Sequence, residues 1–281
     1  MITKDTRFLI IGLGLIGGSY AMGLKKNGYH VEAIEINQLS IDYALKNGII
    51  DKGSTFDLDM ISQADVIIVS LYPNMSVDWI ATYQKYFKPG ALISDVASVK
   101  TGVVKPIQDI IRDDVEFLSS HPMAGKEVSG VKFADDTIFH SANFIILPTE
   151  KNTKEAIDSL RQMAQILGFH NISELSVEDH DAMIGFVSHL THAIAVSLMN
   201  TNDNTHLVEY TGDSFRDLTR IAINENLWSE VFFLNKDNLI KEIDDFTAEV
   251  ENLKSKLIHN DVEGLKELFI QSTARRKLFD K

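Results

Sequence analysis

The sequence predicts an α/β fold: a doubly wound, mostly parallel sheet over residues 1–175, then an all-helical C-terminal domain over residues 176–281. Three observations predict it. The first is a glycine turn, G-L-G-L-I-G at 12–17, set between a strand-like apolar run and a helix-like one. The second is the alternation of short apolar runs with helical segments through the first 150 residues. The third is the loss of strand signal beyond Leu175, where helical periodicity takes over.

The elements follow in order. Residues 7–11 form the first strand and 15–27 the first helix, which Asn27 and Gly28 stop. Residues 30–36 are a second strand with Glu35 near its end, and 38–46 a helix closed by Asn47 and Gly48. Strands are expected at 65–70, 91–95, 116–120 and 143–148, with helices at 75–87, 99–111 and 154–167. A short strand at 171–175 closes the first domain. Beyond it, 177–199 reads as one long helix with Ser176 as its N-cap, followed by helices at about 213–224, 227–235, 236–258 and 261–278. Within 236–258, Leu239, Ile243, Phe246, Val250, Leu253 and Leu257 alternate steps of four and three, a heptad seam. We expect it to pair with a second copy, giving a homodimer through the helical domain.

Composition narrows the function. The formal net charge of −13 argues against general binding to nucleic acid or to an anionic membrane. The chain has no cysteine, which excludes disulfides, thiolate catalysis and cysteine-ligated metal and fits a reducing compartment. Residues 8–24 imitate the core of a signal peptide, but five glycines make them a poor membrane helix, and no other stretch approaches the length of a span. The expected location is the cytoplasm.

In a Rossmann-type sheet of this kind the ligand sits beyond the C-terminal ends of the strands. That rule selects residues 12–17, Glu35, 70–73, 96–100 and 121–125. Gly12 allows the tight turn, Gly14 leaves room for phosphates, and Gly17 lets the helix pack on the strand. Leu13, Leu15 and Ile16 lie in the same loop, and Ser70 and Leu71 end the neighbouring strand, so all join the expected cofactor site. Glu35, 18 residues past Gly17, stands where a carboxylate meets ribose hydroxyls and repels a 2′-phosphate, which favours NAD over NADP.

His121 follows a predicted strand on the cofactor side, where imidazole can accept the proton of a hydroxyl being oxidised; the alternative is a histidine capping a strand end. Ser98 could hold that imidazole or contact substrate, or could cap the helix expected at Val99. His189 and His192 share a helix face, open to a substrate-contacting or a core role; no H-E-x-x-H occurs, and we expect no metal. Arg216 and Arg220 lie one helical turn apart and could bind carboxylates bidentately, or pair with Asp213 and Asp217 as surface salt bridges.

Taken together, G-L-G-L-I-G-G-S at 12–19, D-V-A-S-V-K at 95–100, H-P-M-A-G-K-E-V-S-G at 121–130, H-D then S-H-L-T-H at 180–192 and F-R-D-L-T-R at 215–220 resemble the prephenate dehydrogenase family. Two departures stand out: Thr191 where the family often has proline, and a lone Gly212 before the F-x-D segment. The resemblance implies NAD-dependent oxidative decarboxylation of prephenate. In it, His121 takes the ring-hydroxyl proton, Ser98 orients His121, Arg220 pairs with a substrate carboxylate, and His189 helps bind substrate. It implies a monofunctional dehydrogenase. The alternatives are an arogenate or β-hydroxyacid dehydrogenase of the same architecture, or an NAD-binding sensor without turnover.

Overall fold

The structure is a computed structural model and describes residues 1–279. Its elements are β1 (Arg7–Ile11), α1 (Leu15–Lys26), β2 (His30–Ile34), α2 (Gln38–Lys46), β3 (Lys52–Ser54), α3 (Leu58–Gln63), β4 (Val66–Val69), α4 (Pro73–Tyr83), β5 (Leu92–Asp95), α5 (Val104–Ile110) and β6 (Glu116–Phe117). These are followed by β7 (Ser119–Pro122), β8 (Asn143–Leu147), α6 (Lys154–Leu167) and β9 (Asn171–Glu174). The rest is helical: α7 (Val177–Ile184), a π-helical turn (Gly185–Leu190), α8 (Thr191–Asn200), α9 (Asp213–Thr219), α10 (Glu225–Leu234), α11 (Lys236–Ile258) and α12 (Val262–Arg276).

The main sheet has six strands in the order β3-β2-β1-β4-β5-β6, all parallel. The order reverses at β1, so the crevice above β1 and β4 is the topological switch point. Strand side chains alternate between two cores. Phe8 and Ile10 join Tyr20, Val31 and Leu160 on one face, while Leu9 and Ile11 join Ile67, Ile80 and Ile107 on the other. Each apolar run is therefore buried on both sides, which is why it reads as continuous rather than alternating.

Three expectations change. First, β3 and α3 were not anticipated; three residues of strand (K-G-S) carry no apolar run. Second, the expected strand 116–120 is split. The backbone ladder to β5 ends where Leu118 N–H donates to Ile93 O. Past that point the Lys100 ammonium donates to Ser120 O at 2.7 Å and to Asp95 Oδ2 at 2.8 Å, so a side chain replaces the next rung. β7 then leaves to form a second sheet, antiparallel to β8, which is parallel to β9. Third, the helix expected at 99–111 starts only at Val104. Residues 96–103 instead form a loop that folds Lys100 into the interior, where it is 0% exposed. Ser98 lies in that loop and is no helix N-cap.

The segment Val177–Asn200 forms one continuous helix, capped by Ser176 Oγ, which accepts from Asp179 N–H at 3.0 Å. By length and composition it is apolar enough to cross a membrane, which corrects the expectation that no stretch beyond the glycine loop comes near that. It carries the fully buried His180, Asp181 and His189. On α11, Leu239 is buried, whereas Ile243, Phe246, Val250, Leu253 and Leu257 are exposed on the single chain.

Candidate active site

The glycine loop takes the shape its spacing requires. Gly12 has φ +90°, and a Cβ there would lie 2.6 Å from Ser70 O. A Cβ on Gly17 would lie 2.0 Å from Gly12 O, so the first turn of α1 packs directly under the loop. Around Gly14, in contrast, a Cβ would meet nothing within 4 Å. No side chain caps α1, so its first N–H groups face open space at a positive helix end. Glu35 closes the loop from β2: its carboxylate accepts from Leu13 N–H at 2.8 Å and Asn37 N–H at 2.9 Å. Ser70 N–H donates to Ile11 O at 2.8 Å, and the Leu71 side chain approaches Gly12, which places both at the cradle. Leu13 and Leu15 turn their side chains into the interior, so only their backbone is available to a cofactor. Ile16 packs against the same core. An open phosphate cradle with a carboxylate at the end of β2 fits NAD.

His121 sits on β7, opposite Ile145 of β8, and is 8% exposed. Its Nδ1 shares a hydrogen bond of 2.9 Å with Nε2 of His180, whose Nδ1 is 2.7 Å from Asp181 Oδ1. Asp181 in turn accepts from Lys100 N–H (3.0 Å), Thr101 N–H (2.7 Å) and the Thr101 hydroxyl (2.6 Å). The loop after β5 thus clamps a carboxylate of α7, which aligns a histidine, which aligns His121. Ser98 is half-buried in that same loop, and His180 takes Nδ1 of His121, which leaves Nε2 as the other ring nitrogen.

Burial drives the His121 pKa well below the ordinary histidine value, and nearby His180, Lys100 and His189 push the same way. Burial lowers His180 also, against the opposing pull of Asp181. Burial alone would raise the Asp181 carboxyl, but hydrogen bonds from His180 and Thr101 outweigh it and hold it below the usual carboxylate range. The site is therefore a neutral-imidazole site at neutral pH.

From the helical domain, His189 is fully buried. Its Nδ1 lies 3.2 Å from Asn235 Nδ2, and its Nε2 has no partner. Burial lowers its pKa to about 4. His192 stacks on Trp228 at 3.5 Å between ring centroids, and Trp228 and Phe232 also flank His189. A histidine held neutral in the fold but free to protonate when unfolded binds fewer protons in the native state. Its contribution is complete above the unfolded value of 6.5 and is lost as pH falls toward about 4. We expect the thermal midpoint to drop between pH 7 and pH 4.5, with a smaller drop in His189→Gln; calorimetry across that range measures both.

Arg220, at the C-terminal end of α9, pairs with Glu127 in the loop that follows His121. This ties the helical segment to the loop after β7. Arg216 does not join it. Its guanidinium bonds Asp213 on its own helix at 2.9 Å and Thr211 O just before that helix at 3.1 Å, with the side chain 60% exposed. The expected pair of arginines facing one ligand is thus reduced to Arg220. Sequence reasoning missed the parts played by His180, Asp181, Lys100, Glu127 and Trp228. The chain's two tryptophans and the H-D dipeptide were the only signals of that kind.

Known proteins match this chain along most of its length. The profile "Prephenate dehydrogenase, nucleotide-binding domain" matches residues 20–172, and "Prephenate dehydrogenase, dimerization domain" matches residues 176–271. The chain is 30% identical over 271 residues to a prephenate dehydrogenase of Bacillus subtilis, covering 93% of this chain and 72% of that one. It is 28% identical to a cyclohexadienyl dehydrogenase of Zymomonas mobilis, covering 98% of this chain and 96% of that one. Among solved structures, the prephenate dehydrogenase of Aquifex aeolicus in complex with hydroxyphenyl propionate and NAD+ matches with a TM-score of 0.90 at 29% identity, covering 99% of this chain and 100% of that one. The chain belongs to the prephenate dehydrogenase family, the oxidoreductases of tyrosine biosynthesis.

Proposed function

We propose that this protein catalyses the NAD-dependent oxidative decarboxylation of prephenate to 4-hydroxyphenylpyruvate and CO2, as a cytoplasmic homodimer. The observation that carries this reading is His121, neutral and aligned on β7, whose neighbour Ser120 bonds the C-terminal end of β5 at Asp95 O. The relative solved with NAD+ and a hydroxyphenyl ligand supports it.

NAD would be held by its pyrophosphate at the open cradle of Gly12, Gly14 and Gly17 and by its ribose at Glu35, and would supply the hydride acceptor. The chain's residues do the rest. His121 takes the proton of the ring hydroxyl as the ring carbon is oxidised. The carbonyl so formed is conjugated to the carbon bearing the carboxylate. The bond to that carboxylate breaks, its electron pair enters the ring, and CO2 leaves. His121 returns the proton to the phenolate, so the catalyst ends as it began. Aromatisation makes the step effectively irreversible. Ser98 lines the same loop, and His189 and His192 form the wall contributed by the helical domain.

Arg220 binds a substrate carboxylate in place of Glu127. Its side chain is 58% exposed, so the pair is worth the lower end of the ~1.5–3 kcal/mol of a charge-assisted bond. We expect Arg220→Ala to raise the KM for prephenate about tenfold with kcat nearly unchanged. A fall in kcat alone, in steady-state kinetics, would place the residue on the transition state instead.

The dimer rests on the exposed heptad face of α11. Phe246, Val250 and Leu253 continue into Leu268 and Phe269 of α12 as one apolar groove. The decisive experiment follows NADH or NADPH formation with prephenate and with arogenate, each with NAD and with NADP. Greater kcat/KM for prephenate with NAD is the expected result. Greater kcat/KM for arogenate makes the protein an arogenate dehydrogenase, and cofactor binding without turnover makes it a sensor.

A further inference from the structure

The catalytic proposal leaves one requirement unmet. A histidine that accepts a hydroxyl proton must present a bare nitrogen, and a neutral imidazole carries its one proton on either ring nitrogen. We propose that His180 and Asp181 are positioning residues that fix the tautomer of His121, keeping its proton on Nδ1 and its lone pair on Nε2. The inference rests on the reading of His121 as the base.

The assignment follows from hydrogen-bond bookkeeping along the chain. An ionised carboxylate only accepts. Asp181 is held in place by the backbone N–H groups of Lys100 and Thr101 and by the Thr101 hydroxyl. The bond of 2.7 Å between Asp181 Oδ1 and His180 Nδ1 therefore requires the proton to be on His180 Nδ1. Neutral His180 then has a bare Nε2, which accepts. Its 2.9 Å partner, His121 Nδ1, must donate. One proton is thereby placed on Nδ1 of His121, and Nε2 is left bare.

The chain is unidirectional because only its far end is anchored to an obligate acceptor. It lies wholly inside the protein: His180 and Asp181 are 0% exposed, so water does not compete for either bond. When His121 takes the substrate proton, the imidazolium keeps its donation to His180, and the negative charge of Asp181 stabilises the new positive charge across it. Protonating His180 would reverse the order. Its Nε2 would donate to His121 Nδ1, and the proton of His121 would move to Nε2, blocking the base. The charged and titratable groups facing the pair are Lys100 from the loop after β5, Asp95 from the end of β5, Asp181 beside His180 on α7, and His189 from the π-helical turn.

Asp181→Asn is the test, because it can keep the shape and reverse the order. The amide oxygen can still accept from Lys100, Thr101 and the hydroxyl, which turns the NH2 toward His180 Nδ1. Every donor in the chain then inverts. We expect kcat to fall about 10²–10⁴-fold with KM within threefold and NAD affinity unchanged, and activity to recover in part at high pH. His180→Gln, whose amide oxygen can still accept from His121, should retain at least tenfold more kcat than His180→Leu. A purely structural role predicts no such difference.

The tautomer itself is read by 15N NMR of histidine-labelled protein without substrate, with His121 assigned by its loss in His121→Asn. Wild type should show a bare Nε2, and Asp181→Asn a bare Nδ1. This measurement is independent of turnover: if neither prephenate nor arogenate is oxidised, the proposed function fails while the tautomer assignment still stands or falls on the spectrum. A wild-type His121 protonated on Nε2 overturns the inference even if the variants fail to fold. So does an Asp181→Asn enzyme within threefold of wild-type kcat.

Discussion

His121→Asn should lower kcat by about 10²–10⁴, the size of a general-base loss, and leave NAD binding near that of the wild type. Asparagine is close in volume and can still hydrogen-bond His180, so the packing around β7 survives. What disappears is a nitrogen able to take and return a proton. The cofactor cradle is built on β1, β2 and β4, and His121 on β7, so the two functions separate cleanly. Initial rates of NADH formation, with NAD affinity measured alongside, check it; an unchanged kcat would remove His121 from the chemistry. Because burial drives the His121 pKa well below 6.5, the residue is already neutral at ordinary pH. The wild-type rate should therefore be flat from pH 8 down through 6.5 and fall only in more acid solution, so far as His121 controls it.

The second large effect is on stability. Lys100→Met should destabilise the fold by about 3–5 kcal/mol, the cost of removing one partner of a buried ion pair. The Lys100 and Asp95 side chains are both 0% exposed. Methionine fills a similar volume but donates nothing, so Ser120 O and Asp95 Oδ2 lose their ammonium partner in the interior. Chemical denaturation measures the loss. In Lys100→Met with Asp95→Asn, part of it should return, because the uncompensated charge has gone. A Lys100→Met protein within about 1 kcal/mol of wild type would mean that the amine is not what holds β5 and β7 together. Burial lowers the Lys100 pKa against the opposing charge of Asp95. The pair therefore represents a desolvation cost as well as an attraction, which is why its removal in halves differs from its removal as a whole.

Lys100 also marks the limit of what the sequence could tell. The parallel strands were legible because each is buried on both faces and reads as an unbroken apolar run. The glycine turn was legible because backbone geometry restricts the residues there. A lysine in A-S-V-K-T-G gives no sign that it will be buried, since its partners, Asp95 and Ser120 O, belong to other strands. Reading that stretch as the start of a helix was the natural error, and with it went any sign that the strand expected at 116–120 is split into β6 and β7. His121 stood out in the sequence as the residue after an expected strand, whereas it lies within β7 itself. The pairing with His180 was not legible, because it joins residues 59 positions apart across two domains. Arg216 failed for the opposite reason: helical spacing set it beside Arg220, but local partners, Asp213 and Thr211, captured it first. Arg220 escaped that because Glu127 lay across the cleft.

The π-helical turn at Gly185–Leu190 has a consequence for how the long helix can vary. On a regular α-helix, at about 100° per residue, His180 and His189 would point to opposite sides, nine residues and about half a revolution out of phase. A wide turn that absorbs one extra residue takes back about 100° and swings the second half of the helix toward the side the first half serves. The segment is thus a phase-setting gear, and its length is a functional dimension. Removing one residue near Gly185, at the start of the turn, would leave the composition of both halves intact, yet rotate every side chain after the deletion, His189 and His192 included, away from the neighbours it now meets.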